Sequence, residues 1–347
     1  MPTTRRIAVL ALCAPLLLAP AARAAEAALS GLQAVEFLLE HSDGFSIAVP
    51  AEQRDAIQSA IERDAAAQPA DARLALGMAL VKQMQGDNKA AREHAERAVK
   101  LSPDSADAHY WLGNTVFAGI GQAGMLDKAS LASKGRKAYE KTIELNPAHA
   151  GARYALAQFY LGAPAIAGGS DRKAREEAQA LLKIEDGAFL GRMTLGQLAA
   201  KEKKWDDMAR EYAAAEQAAE RDDRRAWALR SWAWSLIDSK KDPSAALPLI
   251  ERYAAVAPPT DPTLHYFRGR AAQELSRPAE AAEHYRQALA ISPNARNSGF
   301  ALAECLEQAG DAAGALAAYE AFIERHKDDS RAGDAKKAVK RLKKKLG

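Results

Sequence analysis

A small residue, an aromatic and a proline return at fixed distances along this chain. Gly269, Ala281, Tyr285 and Ala288 lead to Pro293, and 34 residues later Ala303, Ala315 and Tyr319 repeat the order. The interval is too long for one helix turn pattern and fits a helix, a short turn, a second helix and a proline stop. Small side chains let two helices approach closely, and the tyrosines fill the space beside them. One such hairpin cannot bury enough apolar surface alone, so copies must stack and share a core. The same frame reads back through Ala91, Ala98 and Pro103, which extends the constraint over most of the chain.

This spacing resembles the tetratricopeptide repeat (TPR), and of its members the exported bacterial kind. The resemblance implies an all-α fold, a TPR-like α-solenoid of antiparallel helical hairpins. Seven units fit residues 72–328, with first helices beginning near Ala72, Ala106, Ala150, Phe189, Trp227, Pro262 and Arg296. The fifth unit matches least well, because Trp234 falls where the pattern wants a small residue. Its helix pair must be splayed or shifted by a residue. Two inserts interrupt the frame, residues 119–132 and 162–169, and their apolar Met125 and Ile166 are expected either to form a lid over the groove or to plug a gap between repeats. Residues 25–71 form a helical cap or degenerate repeat, with a brief extended stretch at 44–50, and residues 329–347 a basic capping helix.

Residues 1–24 carry Arg5 and Arg6, an apolar run over 7–18, and Ala22-Arg23-Ala24, the three parts of a cleavable Sec-type secretory signal. The expected location is periplasmic or secreted. No apolar stretch reaches the roughly 20 residues a membrane helix needs. The chain holds 48 basic and 45 acidic residues. The leader contains three arginines and no acid, so the remainder is formally neutral. Residues 329–347 alone hold eight basic and two acidic side chains, and peripheral contact with an anionic surface is one reading of that imbalance. Nucleic acid is not an expected partner. Beyond the leader Cys305 is the single cysteine, which excludes an intramolecular disulfide.

Reaction chemistry finds little footing. Gly119, Gly121 and Gly124 spell a dinucleotide fingerprint, but a helix precedes them where a strand is required. Ser170 and Lys173 have acyl-enzyme spacing without the companion motifs, and Ser170 reads better as a helix N-cap. The seven histidines are scattered without metal-binding spacing. No cofactor, no metal site and no catalytic residue is expected.

In the family this chain resembles, the first helix of each hairpin lines a concave groove. That frame places Tyr110, Asn114, Phe117, Tyr154, Gln158, Met193, Gln197, Tyr266, Arg270 and Phe300 on the groove wall. Aromatics offer rigid apolar area, and amides satisfy both sides of an extended backbone. The lysines of the carboxylate-clamp subtype are missing, since Ala118 and Gly162 stand in that row. The expectation is a noncatalytic exported scaffold that binds a protein or peptide. The alternative is a small-molecule-binding accessory of a substrate-uptake system, with the inserts closing over an apolar ligand.

Overall fold

The computed structural model describes residues 29–42, 47 and 49–347, with the side chains of Met125 and Leu126 excepted. The expected leader and most of the stretch at 44–50 lie outside the described residues. Among the described residues there is no strand, only an isolated bridge between Ser42 and Ile47, and no helix is long and apolar enough to cross a membrane.

The chain divides into two compact units, residues 1–119 and 120–347. The first contains α1 (Gly31–Glu40), α2 (Ala51–Ala67), α3 (Ala72–Met84), α4 (Asn88–Leu101) and α5 (Ala106–Gly119). Ser30 opens α1 with a capping box, accepting from the Gln33 amide while the Gln33 side chain accepts from the Ser30 backbone. The α1 and α2 helices pack on each other and on α3, burying Val35, Leu38, Ile61 and Leu74.

The second unit runs through α6 (Met125–Leu145), α7 (Ala150–Gly162), α8 (Asp171–Leu181), α9 (Ala188–Lys201), α10 (Trp205–Gln217), α11 (Asp222–Trp234), α12 (Pro243–Val256), α13 (Pro262–Glu274), α14 (Pro278–Ile291), α15 (Arg296–Gln308), α16 (Ala312–Arg325) and α17 (Ala332–Leu346). Each helix packs against the next. Tyr212, Tyr253 and Tyr285, one from each of three second helices, are completely buried in the seams. The close approach that the small residues promise is real. A Cβ built on Gly196 would stand 3.0 Å from the Tyr212 ring, and one on Gly269 would stand 2.7 Å from the ring of Tyr285.

The turn within a hairpin repeats as closely as the helices. Gly86, Lys203, Ser276 and Gly310 all take positive φ, followed at once by the residue that opens the second helix. Each stands seven residues after the small residue of its hairpin: Ala79, Gly196, Gly269 and Ala303. The fifth unit departs from this count. Its left-handed residue, Lys241 (φ 59°), is eight residues after Ala233, because α11 runs into a six-residue π-helical turn, Ser235–Lys240. A π turn accommodates one residue more than an α turn. Of the two expectations, splayed or shifted, the structure therefore has the shift: Ala233 sits buried in the small slot, and Trp234 is turned outward.

Three other readings need correction. The helix placed at Trp227 begins at Asp222, where Asp222 and Asp223 occupy the positive end of the helix dipole and Asp222 pairs with Arg225 at 2.7 Å. The supposed insert at 119–132 is mostly helix. It consists of a short 3₁₀ turn at Ile120–Gln122 and then the first turns of α6, so Met125 starts a helix rather than sitting in a loop. In the second insert a 3₁₀ turn, Ala165–Ala167, holds Ile166 fully exposed. Ile166 covers no groove and fills no gap.

Candidate partner-binding cleft

The outward Trp234 borders a cleft in the second unit. The cleft, of about 970 Å³, lies between α9, α11 with its π turn, α13, and the first turn of α15. Trp234 is 42% exposed and stacks on Tyr266, ring centroids 6.4 Å apart, while meeting Phe267 edge-on at 5.9 Å. Polar groups surround this aromatic floor: Gln197, Ser231, Ser235, Ser239, Thr263, Asn297 and Ser298 all line it. Ser235 donates back to the Ser231 carbonyl at 3.0 Å and shares a 3.2 Å hydrogen bond with the Tyr212 hydroxyl.

The charge of the cleft has one sign. Lys201, Arg230 and Arg296 line it, and no aspartate or glutamate does. Burial pushes the phenol of Tyr212 up to about 12 and that of Tyr266 upward too, so both stay neutral at physiological pH. Lys201 is engaged by the Asp171 carboxylate at 2.6 Å and the Leu161 carbonyl at 3.0 Å, which ties together the two ends of the 162–169 loop. Arg296 stands 3.4 Å from Asp329. Arg230 lines the cleft and makes no ion pair within 4 Å among the described residues, and its charge acts on the Asp261 carboxylate and the Tyr253 phenol.

The first-helix register, the small-aromatic contacts and the buried tyrosines describe one repeat, and family comparison gives it a name. Tetratricopeptide repeat models match residues 272–339 and 232–296, and a TPR repeat model matches residues 84–118. This is a tetratricopeptide repeat protein. No curated protein sequence matches it. Among solved structures, a TPR protein from Parabacteroides merdae aligns with a TM-score of 0.57 at 16% identity, over 79% of this chain and 99% of that one. Yeast Tom70 aligns with a TM-score of 0.63 at 14% identity, over 90% of this chain and 63% of its own. At such identities the likeness establishes the fold alone. TPR proteins are in general nonenzymatic interaction scaffolds.

Set against the TPR frame, the ten groove residues read from sequence divide sharply. Gln197 and Tyr266 line the cleft. Tyr154 and Met193 do not: both are buried, with Tyr154 meeting Trp227 of α11, two repeats on, edge-on at 5.8 Å. Gln158 spends its amide on Gln197 at 2.9 Å. Arg270 is held by Asp238 of the π turn at 2.7 Å and by Glu274 at 3.0 Å. Phe300 packs against Phe322 and Tyr319, and the Arg331 guanidinium lies over its ring at 5.1 Å. In the first unit Tyr110 and Asn114 are buried in α5 and Phe117 is half-buried. Replacing Tyr110, Asn114 and Tyr154 would thus damage cores rather than a recognition surface.

Trp234, Arg230 and the α15 residues Asn297 and Ser298 line the cleft and were not foreseen there. A signal existed for the first, since a tryptophan in a small slot demands a change of register. None existed for the others, whose place beside the cleft depends on how separate repeats stack.

Some further motifs settle as local structure. Gly119 ends α5 and no strand precedes it. Ser170 caps α8, accepting from the Lys173 amide at 3.3 Å. Cys305 is buried and its thiol is raised to about 11 by burial, which suits a packing role. Among the described residues no three His, Cys, Asp or Glu side chains are placed to hold a metal.

Proposed function

We propose that this TPR protein captures an extended segment of a partner protein in the cleft between α9 and α15, and that it does so outside the cytoplasm after removal of residues 1–24. The observation that carries the reading is the exposed Trp234, stacked on Tyr266 and ringed by hydroxyls and amides. Stacked aromatics give a large apolar contact with little side-chain entropy to lose, and their neighbours supply donors and acceptors for a peptide backbone. The cationic lining, with Arg230 sharing its field with Asp261, favours segments in which an acidic side chain lies beside an apolar one.

We read the site as one that recognises a ligand; its lining carries three cationic side chains among hydroxyls and amides. The small-molecule alternative draws less support, since Ile166 is fully exposed.

The test is selection of random peptides from a display library on the purified protein, followed by native mass spectrometry of the complexes. Enrichment of a common acidic-apolar motif at one peptide per chain supports the proposal. A protein that enriches no peptide, or that carries a tightly held small molecule in the cleft, overturns it. Export is tested separately by fractionating cells and sequencing the N-terminus, with Ala25 as the expected first residue.

A further inference from the structure

The last helix turns one face inward and leaves the other without a counterpart. Ala332, Ala335, Ala338 and Leu342 of α17 are buried against the repeat stack. The exposed surface of the helix carries Lys336, Lys337, Lys340, Lys343, Lys344 and Lys345. Part of this charge is neutralised locally. Lys337 pairs with Asp334 at 2.8 Å, Lys343 with Glu320 at 2.9 Å, and Arg341 with Glu307 at 2.7 Å. Lys336, Lys340, Lys344 and Lys345 make no ion pair among the described residues.

Three of these four follow the i, i+4, i+8 spacing and form one stripe along the helix. At 1.5 Å per residue successive lysines stand about 6 Å apart along the axis, within the Debye length of about 8 Å at physiological salt, so neighbouring charges act together on a facing surface. The chemistry of the stripe narrows the partner. Its charges are all lysine, which are compact point charges on flexible stems, and the helix's one arginine, Arg341, is already bound to Glu307. The helix has no aromatic residue on which a base would stack. Its apolar face is used for packing, which excludes deep insertion, although Leu346 at the end is half exposed.

We propose that α17 docks the protein by electrostatic contact on an anionic phospholipid bilayer, lying flat on the headgroups with Lys336, Lys340 and Lys344 toward them. The docking face belongs to the end helix of the fold and does not depend on the cleft being a peptide site.

The experiment is co-sedimentation of the chain from Ala25, which keeps every described residue, with vesicles of roughly one-third phosphatidylglycerol in phosphatidylcholine, and with pure phosphatidylcholine. Binding is expected to the anionic vesicles only, and to fall steeply as salt is raised. The triple variant Lys336→Gln, Lys340→Gln, Lys344→Gln should bind these vesicles roughly a hundredfold more weakly. Because the three side chains are exposed, its thermal unfolding should match the parent, and a matching melt certifies the comparison. Equal binding to neutral vesicles, no binding to either, an unaffected triple variant, or preference for duplex DNA added as competitor would each overturn the proposal.

Discussion

The indole of Trp234 lies nearly parallel to the phenol ring of Tyr266, their planes 21° apart and their centroids separated by 6.4 Å. This contact joins α11 to α13 across the cleft, and it exists because the π turn adds a residue between Ala233 and Lys241. Without that residue Trp234 would occupy the small slot that glycine fills in the neighbouring hairpins. Extra residues of this kind are often kept at functional sites. Here the consequence is concrete: an apolar ring that the repeat would otherwise bury is given to the surface.

Removing Ser239, an exposed residue of the π turn, should return the segment to α geometry and drive Trp234 into the seam. The shortened protein is expected to melt well below the parent, since overpacking a core costs about 1–3 kcal/mol or more. Combining the deletion with Trp234→Gly should recover most of the loss. Thermal denaturation of the two variants checks this. If the double variant melts no higher than the deletion alone, the register account is wrong.

Gly269→Ala should destabilise the protein by about 1–3 kcal/mol, because its new Cβ meets a fully buried tyrosine that has no room to move. Gly333→Ala is the control. A Cβ there meets nothing within 4 Å, and the change should add about 0.4–1 kcal/mol by restricting the unfolded chain. Urea titration of both variants distinguishes a close helix approach from a general preference for alanine.

The corner between α16 and α17 should be sensitive to acid. Arg331 donates to the Asp329 carboxylate through its guanidinium and its backbone amide, at 2.9 and 2.8 Å, and holds that carboxyl well below its usual range against the opposing effect of burial. A carboxylate depressed in the folded state contributes stability above its unfolded pKa, about 3.9, and loses it as pH falls through the folded value. Asp329→Asn should therefore lower stability at neutral pH, and the gap from the parent should close as the pH is taken below about 4. Urea midpoints across that range measure the gap. A gap independent of pH contradicts the assignment.

Much of this architecture was written in residues that punctuate helices. Ala72, Ala106, Ala150, Pro262 and Arg296 begin helices where the repeat frame puts them, because Asp71 and Asp261 cap two of these and Pro262 suits a first turn. Residues 120–132 misled for the opposite reason. They count as extra against a 34-residue frame, yet Met125 onward is helix-competent and simply lengthens α6. The residues of the π turn left no mark of their own, since Ser235, Leu236 and Ile237 are as acceptable in an α-helix, and only Trp234 before them signalled a change of register.

The binding face was less legible than the fold. Register identifies the side of a helix, and Tyr154, Met193 and Tyr266 share that register, but only Tyr266 reaches the cleft. Whether such a residue is open depends on how closely the hairpins that follow lie over it. Trp227 closes over Tyr154, while the outward Trp234 holds space open beside Tyr266. That difference comes from one added residue in another helix, beyond the reach of any pattern read within a single unit.

Trp234→Ala should cost about 0.5–1.5 kcal/mol of stability through the lost ring contacts. A fold that loses several times this amount would show that Trp234 is a core residue.

The most direct measurement is the affinity of one display-selected acidic-apolar peptide for the parent, for Trp234→Ala and for Arg230→Ala, by titration calorimetry. A central aromatic anchor is worth about 2 kcal/mol or more on truncation, so Trp234→Ala should bind roughly thirtyfold more weakly. Arg230→Ala should weaken the acidic peptide but not a version with its acids replaced by glutamine. Equal affinity of Trp234→Ala and parent for the selected peptide would contradict recognition in this cleft.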